Sequence, residues 1–273
     1  MRTPAETILS WKSSPEARPR DVMFRPLVEF DSWMPPIVED FQGSAFGAID
    51  EAMLQLKEHE GRWTRPLVSC WEALEAYNAQ FGASSYGDRG GWEIFCTDWK
   101  DAQALWIDPG TPQELVIEAE DFPKLQALAR AVEVEQAWER LHNGDEHPGD
   151  LALVVGYEGY RLAVVQGPDG VRVITVPHDD GRMFIPIFTH ADALELAMPE
   201  FGSNFGDTVR TIQAPGDKVF PPLAQEQAAG LVLNYLGPTE PLAFSLGILD
   251  LLLEHIAKTE PGEAEPAPEA QPQ

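Results

Sequence analysis

Apolar residues recur at helical spacing in several parts of the chain. From Phe122 to Leu141, Leu125, Leu128, Ala129, Val132 and Trp138 fall on one stripe, which predicts an amphipathic helix. Ser44 to Glu60 predicts another, capped by Ser44 and stopped by Gly61. A last helix is predicted over Leu242 to Lys258, with Leu246, Leu249, Leu253 and Ile256 available to pack. Four β-rich runs read differently: Leu151 to Gly156, Tyr160 to Gln166, Val171 to Pro177 and Met183 to Phe188. Glu158-Gly159, Pro168-Asp169-Gly170 and Asp179-Asp180-Gly181 separate them, each a tight-turn sequence, so an antiparallel meander is expected.

Two stretches of the chain also match each other. Pro66, Ala73, Leu74, Glu75, Phe81 and Gly82 fall without a gap on Pro186, Ala193, Leu194, Glu195, Phe201 and Gly202. Tyr86-Gly87-Asp88 then meets Phe205-Gly206-Asp207, and Ala104 to Pro112 meets Gly230 to Pro238. Leu115 to Ile117 meets Leu242 to Phe244. Each copy reads as a strand (Pro66 to Val68; Phe184 to Phe188) and then a helix stopped by Gly82 or Gly202. Ser69 or Thr189 would cap that helix, with Glu72 or Asp192 completing a box-like pattern. A second strand follows (Trp92 to Cys96; Val209 to Ala214), then a short helix (Asp98 to Ala104; Phe220 to Ala229). A buried strand closes each copy (Leu105 to Ile107; Leu231 to Leu233) and turns through Asp108-Pro109-Gly110 or Asn234 to Gly237. A duplicated unit is the expectation; two unrelated strand–helix units sharing common residues are the alternative.

The expected fold is therefore α+β: two related strand-helix-strand units packed together, with the meander before the second. The expected division is 1–43 as a partly disordered extension, 44–142 as the first unit, 143–258 as meander plus second unit, and 259–273 as a disordered acidic tail. That tail carries Glu260, Glu263, Glu265 and Glu269 with four prolines and no aromatic residue, too little apolar surface to offset chain entropy. The first twenty residues look similarly loose, and Met23 to Val28 with Trp33 would suit a further strand.

Charge narrows the partners. The chain carries 45 acidic and 19 basic side chains, a net charge of −26. Such an excess opposes nucleic acid, whose phosphates need Lys and Arg to replace their counterions, and it opposes anionic membranes. No apolar run is long enough to span a bilayer and the N-terminus has no apolar secretory core, so a cytoplasmic protein is expected. Cys70 and Cys96 are expected as buried free thiols, with a redox pair as the alternative.

Chemical signatures are sparse. There is no Gly-x-Ser-x-Gly elbow and no phosphate loop; Gly87, Gly90 and Gly91 read as a loop. His178 and His190 lack zinc partners, and Asn143 to Asp150 lacks the alternating acids of a calcium loop. No catalytic residue, metal or cofactor is expected. The turns at Asp108, Pro109, Asn234 and Pro238 are the candidate binding residues, lining one edge of a groove between the halves, and they are equally readable as structural turns.

Phe184 to Glu195, followed by Gly230-Leu231-Val232-Leu233-Asn234 and Gly237-Pro238, resembles the N-terminal domain of the SseB family, whose pattern is a "pVFTs…eAL" strand and a "gLvlNP" strand and turn. The resemblance covers Met183 to Phe244, with a fainter copy over Arg65 to Ile117. Tyr235 stands where the family usually has Pro, while Asp108-Pro109 supplies the Pro without the Asn. Such proteins are associated with enhanced serine sensitivity or type III secretion in bacteria. The resemblance implies a small bacterial α/β-type domain used in binding or regulation. The leading expectation is thus a non-catalytic protein-binding regulator, with a basic or mixed-charge partner that a −26 field would steer. An enzyme with an unrecognised site between the halves is one alternative. An immunity or antitoxin-like protein that neutralises a basic effector is the other.

Overall fold

The computed structural model describes residues 3–13, 24–37, 54–82, 85–97, 99–145, 147–168, 170–178, 180–237 and 240–259. The chain is an α+β protein with two compact units, Met1–Glu133 and Val134–Gln273. The predicted helix at Phe122 is present as α5 (Phe122–Asn143), and the unit boundary falls within it.

In the first unit, β2 (Lys57–His59), β3 (Arg62–Leu67), β5 (Ala104–Ile107) and β6 (Leu115–Glu118) form a sheet in that order. β3 and β5 run parallel and the outer pairs antiparallel. α3 (Trp71–Phe81) follows β3, and α4 (Gly91–Phe95) precedes β5. β1 (Pro36–Ile37) pairs with β4 (Ser85–Tyr86) as a separate ribbon. α1 (Pro4–Lys12) and α2 (Phe24–Val28) begin the unit. Ile8, Phe24, Leu27, Val28 and Trp33 are buried in one cluster with Leu67, Leu105, Ile107, Ile117 and the α5 residues Phe122 and Leu125.

The described part of the N-terminus is thus core, not loose extension. Thr3 caps α1 in a reciprocal pair with Glu6, and the helix buries Ile8. Phe24–Val28 is helical rather than a strand.

The second unit has a seven-stranded sheet whose main path is β11 (Val209–Ala214), β7 (Tyr160–Gly167), β10 (Met183–Phe188), β12 (Gly230–Leu233) and β13 (Leu242–Ser245). β8 (Gly170–Val173) adds to β7 and β9 (Val176–Pro177) to β10. Its central strands are buried on both faces. Ile185, Ile187, Leu231 and Leu233 enter one cluster, whereas Phe184, Phe188 and Val232 enter another, which follows from the two-residue period of a strand. α7 (Ala191–Phe205) covers the second cluster through Ala193, Leu194, Ala197 and Phe201. α6 (Asp150–Gly156), α8 (Gly216–Leu223) and α9 (Gly247–Thr259) line the first.

Several expected elements change type. Leu151–Gly156 is helix, not the first strand of a meander. Its apolar run is too short for periodicity to separate a buried strand from a buried helix. What selects the helix is Asp150 at its first turn, where a carboxylate is favoured. Arg140 grips that carboxylate at 2.6 and 3.0 Å, His147 donates its backbone N–H to it, and the guanidinium holds Asp150 below the usual carboxylate range. Trp92–Cys96 likewise holds α4 instead of a strand, because Glu93 accepts the Gly90 N–H and seals the helix start. Gly91, expected in a loop, opens that helix.

No helix covers the described residues 99–103, and the second copy's short helix is α8, not Phe220 to Ala229. The predicted Leu242–Lys258 helix starts with β13, since pairing to β12 claims Leu242–Ser245. α7 runs through Gly202 to end at Phe205. Of the predicted Ser44–Glu60 helix, residues 44–53 lie outside the described residues, and Lys57–His59 is a strand. The tail from residue 260 also lies outside them.

The two units share an order of pairings. In each, a parallel pair flanks a helix: β3 with β5 (Leu67↔Ile107) and β10 with β12 (Ile187↔Leu233). In each, the next strand is antiparallel to it (Ile107↔Leu115; Leu233↔Leu242) and a helix follows, burying Phe122, Leu125 and Ala129 or Leu249, Leu252 and Ile256. The likeness extends to segments with no sequence match. Trp33 Nε1 donates to Leu27 O, six residues back; Tyr160 OH donates to Val154 O, also six back. Trp33 bridges Arg89, two residues before Gly91, and Tyr160 pairs with Ala214, two before Gly216. In contrast, Tyr86 lies in β4 and Phe205 ends α7, so that part of the sequence match does not coincide in structure.

Candidate functional site

The positions singled out by sequence sit where the central parallel strands end. Past β5, Asp108 adopts φ 47°, and past β12, Asn234 adopts φ 53°, a left-handed conformation that Asp and Asn tolerate best among non-glycine residues. Their backbone N–H groups donate to the ends of the neighbouring parallel strands, Asp108 to Leu67 O and Asn234 to Ile187 O, both at 2.8 Å. Each side chain then reaches back to the first residue or two beyond that strand.

Asp108 has no exposed surface (0%). Its two oxygens accept from Ser69 N at 2.7 Å and Ser69 Oγ at 2.6 Å. Burial raises its carboxyl above the ordinary range, and the two Ser69 hydrogen bonds oppose that shift. In the second unit Asn234 Oδ1 accepts from Thr189 N at 3.0 Å and lies 3.2 Å from Thr189 Oγ1. Asn234 Nδ2 donates to Glu135 Oε1 at 2.8 Å, and Thr189 Oγ1 donates to the same oxygen. Tyr157 OH closes the group on Thr189 O at 2.5 Å.

The side-chain type follows the partners. Asp108 meets two donors, which a carboxylate satisfies. Asn234 sits between donors and a carboxylate, which needs an amide that both accepts and donates. Replacing Asp108 by Asn should therefore be tolerated, with Oδ1 still accepting from Ser69 N. The wild-type carboxylate is disfavoured by burial, so acid stabilises the wild type, fully below the unfolded-state carboxyl range, and the gain is lost as pH rises through the raised folded value. The Asp108→Asn chain is expected to compare best with wild type at pH 7 and to lose that advantage by pH 4, read as urea unfolding midpoints at both.

Ser69 and Thr189, expected as helix caps, are instead the partners of these turns. The caps are Cys70, whose side chain makes no capping bond, and His190. His190 Nδ1 lies 2.7 Å from Asp192 Oδ1. Pro109 is buried next to Asp108, and Pro238 lies outside the described residues. Asp108 and Pro109 belong to the first unit and Asn234 to the second. Glu135 is the participant that sequence reading missed, since nothing in its helix marks it as a partner of residues 54 and 99 positions away. Cys70 and Cys96 are both free and partly buried. No group of three or more His, Cys, Asp or Glu arranged for a metal occurs among the described residues.

A second feature lies outside the apolar stripe of α3. Trp71 and Tyr86 are exposed, with ring centroids 5.9 Å apart and planes at 76°. Trp71 Nε1 donates to Glu75 Oε1 at 3.0 Å. The sequence signal for it is a Trp at a helix start, off the Ala73, Leu74 and Tyr77 stripe.

No family model matches the chain, and no curated protein matches it. Among solved structures, Anabaena Tic22, described by the words protein transport, aligns over 77% of this chain and 88% of its own, at 9% identity and a TM-score of 0.22. A likeness of that size carries no argument for fold or function. Among the described residues, no helix is long and apolar enough to cross a membrane.

Proposed function

We propose that this chain is a non-catalytic binding protein of the bacterial cytoplasm, related to the SseB N-terminal domain, whose partner is a protein with a basic or mixed-charge face. The observation that carries the reading is the state of the strand ends. In open α/β sheets that place usually holds reactive or ligand-binding groups. Here Ser69 with Asp108, and Glu135 with Thr189 and Asn234, direct their hydrogen bonds at one another. Asp108 and Asn234 are accordingly read as internal ties instead of groove-lining contacts. The net charge of −26 supports a basic partner, because it raises encounter rates with positive surfaces and repels anionic ones. The shared order of pairings in the two units supports an origin by doubling of one unit.

Affinity capture from a bacterial lysate, at low and at high salt, tests the function. The expected result is a basic protein retained at low salt and released at high salt. Recovery of no partner at either salt would remove the reading.

A further inference from the structure

We propose that the exposed Trp71–Tyr86 pair is the docking surface for an arginine side chain in a basic segment of a partner protein. This rests on the binding reading above and gives it a place. Trp71 is 54% exposed and Tyr86 42%, although rings of this size normally contribute to a core. Their near-perpendicular arrangement presents two aromatic faces at one spot. Neither ring has a cation over it among the described residues, whereas Phe81 and Phe184 do.

The charged residues next to the pair in the chain are mostly acidic. Glu72 follows Trp71 in the helix, Glu75 accepts the Trp71 indole N–H, and Asp88 stands two residues beyond Tyr86; all three are exposed. Arg89 is the neighbouring guanidinium in the chain, and its Nη1 donates to Asp88 O. Aromatic faces attract a cation through the ring quadrupole, and carboxylates at their margin accept its N–H groups. A guanidinium suits both demands, since it is planar, stacks on indole and donates in a fork. The complementarity of charge selects a basic occupant. The two angled rings span only 5.9 Å between centroids, room for one inserted side chain and not for a helix.

The test uses the full chain with nitrogen-15 in its indoles, and two synthetic peptides: one of alternating glycine and arginine, one with citrulline in place of each arginine. The arginine peptide is expected to shift the Trp71 indole N–H resonance, assigned by its loss in Trp71→Phe. Trp71→Ala and Tyr86→Ala are each expected to weaken peptide binding about fivefold, the scale of an exposed cation–π contact. Trp63→Ala removes another exposed indole, 51% accessible, and is expected to leave binding unchanged. The citrulline peptide should not bind. If an alanine variant fails to fold, Glu72→Gln with Asp88→Asn serves in its place, with weaker binding again expected.

The proposal is overturned by a Trp71 resonance that does not move, by wild-type affinity in the Trp71 and Tyr86 variants, or by an equal loss in Trp63→Ala. Capture of the basic partner by Trp71→Ala at the wild-type level would discard this surface and leave the binding function standing. Absence of any captured partner would discard the function itself.

Discussion

Alanine at Gly91 or at Gly216 is expected to destabilise its unit by about 3 kcal/mol or more, at the upper end for overpacking. A Cβ on Gly91 would stand 2.4 Å from Leu27 O and 2.5 Å from Val28 O. On Gly216 it would stand 2.6 Å from Val155 O and 2.8 Å from Val154 O. In both cases the obstacle is the backbone of a neighbouring helix, α2 or α6, which cannot move aside as a flexible side chain would. The glycine N–H is also committed, to Phe30 O at 2.7 Å and to Tyr157 O at 3.0 Å. Gly202→Ala is the control. It lies within α7 facing open space and should gain about 0.5–1 kcal/mol from lower chain entropy in the unfolded state. Urea midpoints for the three variants check this. Wild-type midpoints for Gly91→Ala and Gly216→Ala would mean that these helix contacts are misassigned.

The second large effect is expected at Asn234. Alanine there removes the acceptor for Thr189 N and the amide donor to Glu135, at a site only 2% exposed. Each orphaned buried group costs about 1–3 kcal/mol, and alanine at φ 53° adds backbone strain, so a loss of about 4 kcal/mol is expected. Asn234→Asp separates charge from shape. It would set a second carboxylate against Glu135, and like charges raise the pKa of one of them. Such a variant should be weakest at pH 7 and recover as pH falls and a proton is taken up. Asp108→Asn should follow the reverse course, since it removes a carboxylate that burial disfavours. Equal pH profiles for Asn234→Asp and wild type would refute the role given to Glu135.

These two sites show why part of the candidate region was readable along the chain. Asp108 and Asn234 could be aligned because each follows an apolar strand and opens a turn sequence. Their partners could not be assigned. Ser69 and Thr189 precede helices, and a hydroxyl there reads as a cap until the parallel strand beside it brings a better acceptor within reach. Glu135 lies on the polar side of an amphipathic pattern, where nothing local distinguishes it from its solvated neighbours.

Residue spacing was sufficient where a periodic pattern is long or where an apolar run lies between clear turn sequences. The stripe of α5 holds one face over many turns, and Tyr160 to Gln166 and Met183 to Phe188 are short β-rich runs bounded by tight-turn sequences. The α+β class, the strand–helix passage after Pro66 and Pro186, and the turns at Asp108 and Asn234 all followed from such local preferences. Spacing failed at Leu151–Gly156, at Trp92–Cys96 and at Leu242–Ser245. There the runs are short, both conformations bury the same side chains, and long-range partners break the tie: Arg140 on Asp150 favours a helix, and β12 recruits Leu242–Ser245 as a strand. The correspondence of Trp33 and Tyr160 was invisible for a related reason. Burial against a backbone carbonyl constrains volume and donor geometry, and different residue types meet that constraint equally well.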